Sequence, residues 1–210
     1  MTIPSYVAFA FDGGSTSLDV PYYSGFQADD IAFIWAFAND TPTFGTVSGW
    51  TALTQVNNGT FGGRLYWKRL TGSESGTVTV SASGAVSALG IMIGVRNALT
   101  SGTPYEGANS ANGSGTSQTS ATIITTSDDC LGLRFGGSGV ASASSPPSGW
   151  IERVDTNSGF NVQIDTIDLA SAGTEAASTR TISSASWVVQ TLAVLPIPAA
   201  SGLHRMFMVF

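Results

Sequence analysis

The sequence predicts an all-β protein: a jelly-roll-like β-sandwich built from two pseudo-repeated antiparallel units, followed by a C-terminal arm strand. Three observations predict it. Charged residues make up only 10% of the 210 residues, against about 25% in ordinary globular chains. The Glu, Lys and Arg that helices favour are therefore scarce, while Ser and Thr supply about a quarter of the chain and Gly another 25 residues. Short apolar or alternating runs are separated by Gly, Ser, Asn, Asp and Pro, the punctuation of a sandwich or barrel. Finally, the chain repeats itself at an offset of about one hundred residues, and such a repeat takes precedence over local assignments.

The repeat has four landmarks in one order. Asp29-Asp30 before Ile31–Trp35 matches Asp128-Asp129 before Cys130–Phe135. Ser48-Gly49-Trp50 recurs as Ser148-Gly149-Trp150; Gly63–Leu70 aligns with Val162–Leu169, and Ser87–Val95 with Ser186–Val194. Strand periodicity runs through both copies. Thr77-Val78-Thr79-Val80-Ser81 alternates β-branched and polar residues, and Leu89–Val95 puts its large residues on one face. Roughly a dozen strands follow from these runs. The boundaries read as a first unit over 1–99, a Gly/Ser/Asn-rich crossover loop over 100–115, a second unit over 116–198 and an apolar arm over 199–210. Two packed sandwiches and one larger pseudo-twofold sandwich both fit. One body is favoured, because no Pro-rich or charged linker divides the halves.

Local features fill in the picture. The start lacks a basic n-region, and the longest apolar run, Ile31–Ala38, falls far short of the about twenty residues of a helical bilayer span. A soluble protein made in a cytoplasm is expected. Cys130, the sole cysteine, sits in an apolar run and reads as a buried, inert thiol. The sequons at Asn39, Asn58 and Asn112 carry little information, and the Asn-Gly pairs at 58–59 and 112–113 read as turns.

Few reactions survive this composition. The net charge of −6, with Lys68 the only lysine, argues against nucleic-acid binding by phosphate neutralisation. One histidine, His204, and one cysteine cannot form a zinc cluster. Neither a G-x-S-x-G elbow nor a phosphate-cradling loop occurs. The paired aspartates could bind calcium or act as an acid/base couple, but neighbours on a strand point to opposite faces. They read better as turn residues at strand starts. No enzyme activity and no cofactor are expected.

Three sets of residues remain as contact candidates. Arg64, Lys68 and Arg69 lie on one strand, and the matching strand of the second copy carries Asp165 and Asp168. This is either two solvated faces or charge-complementary pairing between halves or subunits. The segment after Pro198, including Leu203, Met206, Phe207, Met208 and Phe210, is too apolar for a solvated tail. It should be buried, on its own domain or by adding to another chain's sheet. Tyr22, Tyr23, Tyr66, Trp67 and Tyr105 would serve a carbohydrate-binding module if exposed. Trp35 reads as core, and Trp50 and Trp150 as equivalent plugs.

Taken together, the G-x-x-A-D-D-I-x-x-I-W strand (Gly25 to Trp35), S-G-W-T-A-L (Ser48 to Leu53), the Y-W-K-R-L and T-V-T-V-S strands and P-P-S-G-W-I-E-R-V (Pro146 to Val154) resemble a known group. It comprises Gly/Ser/Thr/Ala-rich β-sandwich proteins of tailed-bacteriophage virions and some bacterial surface proteins. The resemblance spans most of residues 15–196 and implies a virion structural protein, an accessory capsid (decoration or cement) protein on the head surface. It implies a homo-oligomer, with a trimer favoured, and a major capsid or other virion protein as partner. It brings no catalytic residue, nucleic acid or membrane. The alternative is a receptor- or carbohydrate-binding module of a phage tail, fibre or bacterial surface protein.

Overall fold

Strand pairing over nearly the whole chain dominates the computed structural model, which describes residues 2–140, 145–157 and 159–199. In the first unit the strands are β1 (Ser5–Gly14), β2 (Ser17–Pro21), β3 (Ile31–Asn39), β4 (Thr43–Phe44), β5 (Thr51–Ala52), β6 (Val56–Asn57), β7 (Phe61–Arg69), β8 (Thr77–Ser83) and β9 (Ala88–Arg96). The second contains β10 (Tyr105–Thr119), β11 (Ile123–Thr125), β12 (Cys130–Ser138), β13 (Ile151–Asn157), β14 (Asn161–Leu169), β15 (Gly173–Glu175) and β16 (Thr179–Val194). No helix occurs among the described residues, and all the pairings are antiparallel. The protein is an all-β sandwich. Strands beyond the expected dozen are two- or three-residue pairs, too short to leave a periodic signal.

The duplication is visible in the topology. One large sheet runs β1-β9-β3-β7-β5, with β6 also on β7, and the other runs β10-β16-β12-β14-β13. Each position in the first order has its repeat mate at the same position in the second. These sheets pack face to face and share the main core. Phe33, Trp35, Ile91 and Ile93 meet Leu133, Phe135, Ile164 and Leu192 across the interface. The Phe135 ring lies 6.1 Å from Phe33 and 6.2 Å from Trp35, centroid to centroid. Because side chains alternate, the other face of β3, Ala32 to Ala38, packs against the β2-β8-β4 sheet, lined by Leu18, Val20, Phe44 and Val80. Both faces of β3 are buried, which is why its sequence reads as an unbroken apolar run.

Glycine opens the space that the aromatic core needs. A Cβ on Gly63 would lie 2.2 Å from the Trp35 ring, and one on Gly137 would lie 2.3 Å from Phe37 of the facing sheet. Only a bare Cα lets the sheet backbones approach rings of that size.

The stretch 100–115, expected to be a crossover loop, is instead strand from Tyr105 onward. β10 pairs with β16 along its full length despite its Gly, Ser and Asn content, because it is an edge strand whose side chains are largely solvated. Two bulges break the ladder, between Glu106 and Asn109 and between Gly115 and Ser117. Gly107 (φ 63°) and Gly115 (φ 108°) supply the left-handed backbone there. Asn112-Gly113 is accordingly mid-strand rather than a turn. The other pair does turn: Gly59 has φ 85°, and Asn58 Oδ1 accepts the Thr60 and Phe61 N–H groups.

Candidate functional site

The two large sheets carry the same scaffold but opposite chemistry on their outer faces. In the first unit, Ile34 pairs with Tyr66 and Leu18 with Val80. Matched by the face they share, Trp35 corresponds to Phe135 and Asp29 to Asp129, one residue on from the Asp-Asp match of the sequence, and in that register Arg134–Asp165 and Gln118–Arg180 occupy those positions. An apolar quartet is thus replaced by two arginines, an aspartate and a glutamine, all between 0% and 1% exposed.

Geometry explains how this is tolerated. The bulge after Gly115 lets the far ends of β10 and β16 curl over the sheet, so Gln118 reaches Arg134 on non-adjacent β12. Arg134 Nη2 donates to the Gln118 backbone carbonyl (2.9 Å) and to Gln118 Oε1 (2.7 Å), and Nη1 donates to Asp165 Oδ2 (3.1 Å). Arg180 Nη1 donates to Asp165 Oδ1 at 2.9 Å, and its Nη2 bonds Glu152 and lies 3.6 Å from Asp155. Glu152 is 37% exposed, so the chain of charges runs from a sealed arginine to the surface. Burial raises the Asp165 carboxyl and lowers the Arg134 guanidinium, each toward its neutral form, and their mutual attraction opposes both shifts. Only the Glu152 end reaches the surface, and with Asp165 and Arg134 fully buried, neither substrate nor a second protein can reach that pair.

Asp165 is therefore no surface contact. Asp168 is exposed and lines a shallow cleft with Ile3, Tyr6 and Arg153. On β7, Arg64 donates to the carbonyls of Leu53 and Phe44, and Arg69 to those of Leu99 and Gly102. Lys68 pairs with Glu74 at 3.1 Å. Strands β7 and β14 lie in different sheets, and no ion pair joins them among the described residues. Charge pairing between the halves is absent there because each basic group of β7 is already engaged by nearby carbonyls or by Glu74. Leu203, Met206, Phe207, Met208 and Phe210 lie outside the described residues.

Glu74 shows how local these charges are. Burial alone would raise its carboxyl, but N–H bonds from the Thr71 backbone and the Lys68 ammonium outweigh it and hold it at about 2. A carboxyl depressed in the folded state stabilises the fold above its ordinary value of 4.5, and that contribution is lost as pH falls toward 2. Glu74→Gln is expected to cost about 1 kcal/mol at neutral pH. It should also flatten the acid limb of a plot of urea midpoint against pH.

The paired aspartates are turn elements. Asp29 (φ 67°) and Asp129 (φ 57°) both take the left-handed conformation just before their strands. Asp30 accepts two bonds from Arg96 and one from the Gln27 N–H. No group of His, Cys, Asp and Glu among the described residues could hold a metal ion. Cys130 is buried with its thiol 3.2 Å from the Ser127 carbonyl, and burial beside Glu106 pushes it up to about 12. It has no thiolate to offer.

Of the aromatics, Tyr66 is fully buried, its hydroxyl donating to the Gly45 carbonyl, and Trp67 packs at the core margin edge-on to Tyr105. Tyr66 and Trp67 therefore form no exposed stacking platform. Trp50 and Trp150 follow identical turns, with Gly49 and Gly149 at φ 76° and 84°, and each packs on its own unit's outer core. An opening of about 520 Å³ lies at the seam between the sheets. Leu53 and Thr54 line it from one unit, and Tyr105, Asn109, Ser110 and Gln190 from the other.

No family model matches the chain, and neither a curated protein nor a solved structure is significantly similar to it. The residues themselves carry the functional argument. Arg134 was the signal available in the sequence: an arginine inside Cys130–Gly137, otherwise apolar or Gly, must find a buried partner. Its partners on β14 and β16 could not be chosen without the fold.

Proposed function

We propose that the chain is a non-enzymatic structural protein of a bacteriophage virion, a decoration or cement protein that binds and stabilises the head lattice. One observation carries this reading. Every basic side chain among the described residues is engaged within the molecule, by a carbonyl, a carboxylate, a hydroxyl or an aromatic ring. What remains outward is an acidic, Ser/Thr-rich β surface with open strand edges, suited to protein contacts and unsuited to gripping a genome. The likeness of the S-G-W and A-D-D strand motifs to virion sandwich proteins points the same way, and the head-lattice protein is then the partner.

Cryo-EM of the particle whose genome encodes this chain tests the proposal. Density for the duplicated sandwich on the head surface is expected, and its absence from the head overturns the assignment. The receptor- or carbohydrate-binding alternative has the seam pocket in its favour, since Asn109, Ser110, Thr54 and Gln190 could meet a hydroxylated ligand beside the Tyr105 ring. Glycan-array binding abolished by Asn109→Ala would establish that reading instead.

A further inference from the structure

We infer that β1 is a self-complementary interface, and that two copies of this chain pair their β1 edges antiparallel about a twofold axis at Ala10. The large sheets have four edges, and three carry devices that discourage further pairing. β5 and β6 are two residues long. β10 is kinked by its two glycine bulges. β13 carries Glu152, Arg153 and Asp155 and a bulge of its own. β1 differs. After a bulge between Tyr6 and Phe9, it runs unbroken from Phe9 to Gly14 against β9, without lysine, arginine or proline. Its outer edge has no strand partner among the described residues.

That edge also shows the exposed apolar surface of an interface. Phe9 is 40% and Phe11 54% exposed, and their rings stack at 6.4 Å on one face of the strand. A pair of aromatics left in water beside an open ladder signals a contact rather than a solvated edge.

The occupant follows from the sequence of the strand. Side chains across an antiparallel ladder share a face, so a twofold pairing must centre on a residue that meets itself. Ala8-Phe9-Ala10-Phe11-Asp12 is nearly palindromic about Ala10. Centred there, Phe9 faces Phe11 of the second copy and Phe11 faces its Phe9, with Cβ atoms about 5 Å apart in a four-ring ladder. Centring on Phe9 or Phe11 would instead set the other ring against Val7 or Gly13. The one charge fits as well. Each Asp12, whose carboxylate accepts the Asp19 N–H of its own chain, comes level with Ala8 at the bulge where the regular ladder ends, and the two aspartates stand four positions apart, about 13 Å, beyond the about 8 Å screening length at physiological salt. A foreign partner would have no reason to match this symmetry.

The pairing gives even-numbered assemblies, so it departs from the trimer that the virion resemblance implies and stands independently of that reading. Sedimentation equilibrium of the purified chain tests it. The unchanged protein should show a dimer mass. Phe9→Lys/Phe11→Lys should weaken self-association by about a hundredfold, with its thermal unfolding midpoint retained. The decisive variant is Phe9→Lys/Phe11→Glu, which sets each introduced lysine opposite an introduced glutamate of the second copy. It should restore the dimer at low salt and lose it in about 1 M salt. A monomer or trimer mass for the unchanged chain overturns the inference. So does a dimer indifferent to the double-lysine change, or a lysine–glutamate variant no better than the double lysine.

Discussion

Asp165→Ala is expected to cost about 3–5 kcal/mol of folding stability, because it leaves two buried guanidiniums without their shared carboxylate. Arg134 and Arg180 are 0% and 1% exposed, so neither can turn to water for compensation. A urea unfolding curve would read this as a lowered midpoint at unchanged slope. The informative companion imports the first unit's own solution: Gln118→Leu, Arg134→Ile, Asp165→Tyr and Arg180→Val together. Buried ion clusters replaced by packed apolar groups are commonly neutral or stabilising, so this quadruple variant should recover most of the loss. Glu152 and Asp155 would lose Arg180, but Glu152 is 37% exposed and can be solvated. A quadruple variant as unstable as Asp165→Ala would show that the curled ends of β10 and β16 depend on the charges themselves.

Trp35→Ala should cost a similar amount, about 3–5 kcal/mol, by opening a cavity between the two large sheets. Its ring is fully buried against Phe135 and over Gly63, and neither neighbour can collapse into the space without moving a β ladder. Trp35→Phe should be much milder. The Trp35 indole N–H has no hydrogen-bond partner, and removing an unsatisfied buried donor recovers about 1–3 kcal/mol against the volume lost. Equal destabilisation by the two substitutions, in the same unfolding assay, would overturn this account of the core.

Much of the scaffold was legible because alternation and repetition are local properties of a chain. The unbroken apolar run Ile31–Ala38 announced Trp35 as core, and the recurrence of Ser-Gly-Trp announced two copies of one unit. Cys130 read as a buried thiol from its neighbours alone. Residues 100–115 misled because Gly, Ser and Asn mark loops by propensity, whereas the pairing of β10 is decided by β16, some seventy residues away. Asn112-Gly113 misled for the same reason. Tyr66 resembled a surface aromatic because it sits among Arg64, Trp67 and Lys68. Its hydroxyl is in fact satisfied by Gly45, a partner twenty-one residues distant.

The β class and the duplication belong to the sequence by itself, since each follows from the order and spacing of residues along the chain. The meaning of the few charges belongs to the tertiary structure. Asp165 and Asp168 look alike on paper, three residues apart on one strand. One is sealed beneath two arginines and the other is open to water, because burial depends on which distant strand curls over each position. The stacked Phe9 and Phe11 are a second case. Only the sheet order shows that β1 is an edge and leaves them exposed.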